Sequence, residues 1–96
     1  MGAISFLTFS KGKTAKEAFD AATARAHYEF GHSGYTGTIA EKGTFSMVEV
    51  PTGENPESFA SNLLDDDDPR FTDKWGPAGC VMIEPGEYLF FGWASY

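Results

Sequence analysis

Apolar and polar positions change period along this chain, and the changes mark its elements. Ala3 to Phe9 alternates Ile4, Phe6 and Thr8 against Ser5, Leu7 and Phe9, with apolar residues on both faces, and predicts a first β-strand. Past Lys11-Gly12-Lys13 the period lengthens. Ala15, Phe19, Ala22, Ala26 and Phe30 recur at spacings of three and four and predict one helix from about Ala15 to Phe30. Thr14-Ala15-Lys16-Glu17 has the form of a capping box, in which hydroxyl and carboxylate satisfy the free amides of a helix start, and Gly31 supplies a left-handed stop. So many alanines on the apolar face predict a helix lying close against a sheet.

The remaining elements are shorter. Thr38-Ile39-Ala40 and Thr44 to Val50 have the pattern of a hairpin turning at Lys42-Gly43. After a connector from Pro51, Asn55 and Pro56 open a short helix over about Glu57 to Leu64, with Phe59, Leu63 and Leu64 facing inward. Asp65 to Asp68 and Pro69 end it, and Arg70 to Trp75 predicts a further helical turn. Cys80 to Ile83 and Tyr88 to Trp93 form a terminal hairpin around Glu84-Pro85-Gly86-Glu87. The expectation is a single α+β domain over residues 1–96: a mostly antiparallel sheet of four to five strands, one long helix packed on it, and a short second helix.

Composition sharpens that expectation. A hydrophobic fraction of 42% is that of a chain that buries a core, and 96 residues make one domain rather than two. Nine Phe, four Tyr and two Trp are many large rings for so short a chain: either the core is aromatic or some rings line a pocket or an interface, and an interface of surplus rings such as Trp93 and Tyr96 would make the protein oligomeric. No apolar run approaches the roughly 20 residues of a membrane span, and Met1 to Phe9 lacks the basic start of a signal peptide; the expected place is the cytoplasm. Cys80 is the single cysteine, without an internal disulfide partner, and is read as a buried small hydrophobe.

Charge divides the chain. Residues 1–48 carry five basic and four acidic side chains, whereas residues 49–96 carry two and ten, for a net charge of −7 overall. Such a balance disfavours general binding to nucleic acid, whose affinity comes from cations neutralising phosphates. It leaves open a protein inhibitor or DNA mimic acting through the acidic half.

Catalytic and metal signatures are incomplete. Gly12-Lys13-Thr14 follows a strand and opens a helix as the end of a phosphate loop does, but Leu7 stands where that loop needs its first glycine. What survives is a helix start crowded by Lys11, Lys13 and Lys16, to be read either as an anion site or as solvated lysines. His27 and His32 are five apart, off the four-residue spacing of a zinc helix, and Asp65 to Asp68 lacks the alternation of a calcium loop. No serine or Cys80 lies in a nucleophile-elbow context. The expectation is no catalytic residue, no metal and no cofactor.

The richest segment is the end of the long helix and the glycine loop after it. Tyr28, His32, Ser33, Tyr35, Thr36 and Thr38 gather hydroxyls, an imidazole and aromatic faces around Gly31, Gly34 and Gly37, the parts of a small-ligand site. The same residues equally describe a structured connection between helix and strand. Lys13 and Trp75, the latter beside a rigid Gly76-Pro77 turn, complete the candidate ligand-binding set.

The run from Ala18-Phe19 through Tyr28-Glu29, Gly31-His32 and Gly34-Tyr35-Thr36-Gly37-Thr38-Ile39-Ala40-Glu41-Lys42, with Asp73-Lys74-Trp75-Gly76-Pro77-Ala78-Gly79-Cys80, resembles a family of short uncharacterised proteins of tailed bacteriophages, particularly those of actinobacteria. The resemblance spans Thr14 to Ile83 and carries no assigned chemistry. It implies a phage accessory protein acting against defence in the host cytoplasm. Joined to the loop, it gives a non-enzymatic protein, expected to be a homo-oligomer, that sequesters a nucleotide-derived signalling ligand. The alternatives are the acidic inhibitor of a host protein and a small hydrolase of such a signal using His27 or His32.

Overall fold

A computed structural model of the chain describes residues 2–32 and 34–96. Strand β1 (Ala3–Lys11) leads through a tight turn into helix α1 (Ala15–Phe30). A 3-10 turn at Ile39–Glu41 and the short strand β2 (Phe45–Met47) follow. Helix α2 (Pro56–Asp65) then precedes a hairpin of β3 (Ala78–Glu84) and β4 (Glu87–Ser95). The four strands form one sheet in the order β1-β4-β3-β2. β4 runs antiparallel to both neighbours, and β2 pairs parallel with β3.

The fold is therefore α+β, but its sheet is mixed. The hairpin expected between Thr38–Ala40 and Thr44–Val50 does not form. Thr38 instead accepts a hydrogen bond from the Ala40 amide at 3.2 Å and caps the 3-10 turn, so that segment has no strand to offer. β2 crosses by way of α2 to lie beside β3, as parallel neighbours must. Arg70 to Trp75 also differs from expectation: it forms successive turns rather than a helix, Asp68 and Asp73 carboxylates accepting from the Arg70 and Trp75 amides.

The two helices cover opposite faces. Ala18, Phe19, Ala22 and Ala26 of α1 pack with Cys80, Tyr88 and Phe90, and Phe45 and Phe6 lean on them. Ala60 and Leu64 of α2 pack with Phe71, Val81, Leu89 and Phe91, with Trp93 against them. β4 alternates between these layers, which is why Leu89, Phe90 and Phe91 are all fully buried. Ala18 sits in the core where the sequence pattern pointed to Phe30, which ends the helix largely exposed.

Helix ends follow the sequence closely. Thr14 accepts from the Glu17 amide at 3.1 Å, and the Gly31 amide, with φ of 85°, donates to His27. Asn55 accepts from Ser58 at 3.0 Å, with Pro56 in the first turn.

Candidate functional site

Two consecutive residues of opposite charge organise one end of the molecule. Glu41 closes the 3-10 turn, and its carboxylate accepts from the Thr36 amide at 3.1 Å and the Thr36 hydroxyl at 2.7 Å. Lys42 follows and is almost wholly buried. Its Nζ donates to the carbonyls of Gly76 at 2.9 Å, Lys74 at 3.2 Å and Asp73 at 3.4 Å. One residue thus fastens the 34–38 loop and the next fastens the 73–77 turn. Each of those segments carries an exposed aromatic ring, and the fastening brings the two rings together.

Tyr35 and Trp75 meet edge to face, with centroids 6.4 Å apart and planes at 83°. They remain 50% and 64% exposed, although neighbouring backbone is held by part-buried bonds. Tyr35 has a φ of 57°, a left-handed conformation that costs a non-glycine residue about 1–2 kcal/mol. The ammonium of Lys74 stands 5.3 Å from the Trp75 ring centroid. The result is a pair of exposed rings set edge to face, with a cation over the indole.

Electrostatics fit this fastening role. Burial pushes the Glu41 carboxyl up, but hydrogen bonds from Thr36 and the Tyr35 amide, with the nearby His27, outweigh it and hold the group below the usual carboxylate range. Burial pulls the Lys42 ammonium below its ordinary value, against the attraction of Asp73.

The structure distributes the sequence-predicted residues unevenly. Tyr35, Thr36, Thr38 and Trp75 share this end. Thr36 and Thr38, however, spend their hydroxyls on each other, on Glu41 and on Ala40. His32 stacks on His27, with centroids 4.2 Å apart, and the His27 Nδ1–H donates to the Gly31 carbonyl at 3.2 Å. Tyr28 points into solvent, 91% exposed. Ser33 lies outside the described residues. Lys13 stands at the opposite end of α1, about 24 Å away at 1.5 Å per residue. At that end, a Cβ on Gly12 would come within 2.6 Å of the Ala18 amide nitrogen, so the glycine is accounted for by close backbone packing.

No family model, curated protein or solved structure matches the chain. Glu41 and Lys42 are the residues that sequence reasoning passed over. Their only signal was a charged pair between an apolar Ile39-Ala40 and a glycine, a pattern shared with ordinary exposed turns. Among the described residues no group of three potential metal ligands comes together. No described helix is long and apolar enough to cross a membrane. Asp65, Asp66 and Asp67 are exposed at the end of α2, while Asp68 is committed to Arg70 at 2.8 Å.

Proposed function

We propose that this chain is a small non-enzymatic binding protein that takes a planar, nucleotide-type ligand on the Tyr35–Trp75 platform. The Tyr35–Trp75 pair carries the reading: two exposed rings on segments anchored by the part-buried bonds of Glu41 and Lys42, with the Lys74 ammonium over the indole. Any base offers a face to stack on an aromatic ring, and a neighbouring cation suits its phosphate. Together with the resemblance to phage proteins, the reading is sequestration of a nucleotide-derived defence signal in an infected host. The rival, an acidic inhibitor of a host protein, has no comparable pair of fixed groups behind it.

Titration calorimetry against a panel of mononucleotides, cyclic nucleotides and ADP-ribose derivatives tests the proposal. A saturable heat is expected for at least one class. Stacking on one ring is worth about 1–3 kcal/mol, so Trp75→Ala should weaken binding by about 5- to 150-fold with an unchanged circular dichroism spectrum. Absence of heat across the panel, or full affinity in Trp75→Ala, rules the platform out.

A further inference from the structure

β1 is an edge strand of nine residues with no proline and no bulge in its pairing, and among the described residues its outer side is unprotected along most of its length. Just beyond its ends, the Gly12 amide donates to Gly86 and the Tyr96 amide donates to Gly2. Antiparallel ladders alternate, so the even residues turn their amides and carbonyls toward β4, and Ala3, Ser5, Leu7, Phe9 and Lys11 turn theirs outward. Among the described residues one outward group has a partner: the Arg25 guanidinium donates to the Phe9 carbonyl at 3.0 Å. The side chains of these odd residues share the α2 face, where α2 does not reach them. Leu7 and Phe9 stay 42% and 45% exposed there. At the same edge, a hollow of about 170 Å³ opens between β1 and α1, lined by Phe6, Thr8, Ala26 and Phe30 and rimmed by Arg25 and Glu29.

We infer that this edge is completed by a second copy of the chain, β1 pairing antiparallel with the partner's β1 about a two-fold axis at Leu7. Leu7 is the middle residue of β1, so this register alone pairs the strand along its full length, Ala3 opposite Lys11 and Ser5 opposite Phe9. Leu7 meets its own counterpart as a hydrogen-bonded pair, with Phe9 on the diagonal, and both exposed side chains are covered. On the α1 face Phe6 comes opposite Thr8, over the mouth of the hollow. The axis reverses the order of the rim charges, so each Arg25, giving up the Phe9 carbonyl that then accepts from the partner's Ser5 amide, comes alongside the other copy's Glu29. Like charges are thereby avoided at the seam, which also belongs to the nearly neutral half of the sequence.

The seam is about 30 Å long at 3.4 Å per residue. One strand and its flanking side chains bury an area at the low end of specific interfaces, roughly 1,000–1,200 Å² in total, the size class of weak, reversible associations. The dimer makes one eight-stranded sheet.

Sedimentation velocity on the purified chain, from low micromolar to near-millimolar concentration, reads the association. The mass should rise from monomer to dimer. Ser5→Pro removes an outward amide that β4 does not use, so the fold should be retained while the dissociation constant rises about tenfold or more. Leu7→Lys places two cations face to face on the axis and should have the same effect. Circular dichroism and thermal unfolding at low concentration establish that both variants are folded. A wild-type chain that stays monomeric throughout, or folded variants that associate as tightly as wild type, overturns the inference.

Discussion

Glu41 shows how one side chain can hold a loop in place through its hydrogen bonds. Its carboxylate takes two donors from Thr36, and solvent reaches it enough to keep the gain at the low end for charged hydrogen bonds, about 1 kcal/mol. The group is held below its usual value of 4.5 in the folded protein. The unfolded chain therefore takes up the proton first as pH falls, and the stabilisation is present above about pH 4.5 and lost below it. Glu41→Gln should be less stable than wild type by about 1 kcal/mol at pH 7 in urea denaturation, and the difference should close as pH is lowered through 4. Both proteins keep an acid-sensitive contribution from Asp68, whose hydrogen bonds with Arg70 hold it low in the same direction. A difference that is constant with pH would show that the Glu41 charge plays no part in fixing the loop.

Elements were legible in the sequence to the extent that local chemistry specifies them. α1 could be read from Thr14, the spaced alanines and Gly31, and α2 from Asn55 and Pro56, because caps and periodicity act within a few residues. The mixed sheet was not legible. Phe45 to Met47 has the pattern of any short strand, and whether it turns back on its predecessor or crosses to β3 depends on Ala78 to Cys80, more than thirty residues away. The site divided in the same way. Tyr35 and Trp75 were separately recognisable as aromatic residues beside glycine turns, but their meeting depends on Lys42 reaching three carbonyls beyond residue 70. Gly79 is a further residue whose reason is tertiary: a Cβ there would lie 2.3 Å from the ring of Phe91, its partner in the end pair of the β3–β4 ladder. Gly79→Ala must displace a fully buried ring and should destabilise the protein by about 1–3 kcal/mol in chemical denaturation. A loss below half a kilocalorie would mean that Phe91 has room to move.

At the scale of the whole molecule, the two cores are joined through shared strands rather than through a common interior. Tyr88 and Phe90 belong to the layer under α1, and Leu89 and Phe91, interleaved with them on β4, belong to the layer under α2. Neither layer can open without displacing the backbone of β4 and with it the opposite layer, so the chain should unfold in one cooperative step. The sequence supplies a reporter for each side. Cys80 lies under α1, fully buried, its thiol pushed up to about 12 by burial, so neither access nor ionisation favours reaction in the native state. Trp93 packs against the α2 layer, and in a Trp75→Phe background its emission reports that side alone. Labelling of Cys80 by a disulfide reagent and the Trp93 emission change should then show the same urea midpoint, with negligible labelling before the transition. Labelling that precedes the emission change would show α1 leaving the sheet by itself, and the shared strand would not be what couples the two faces.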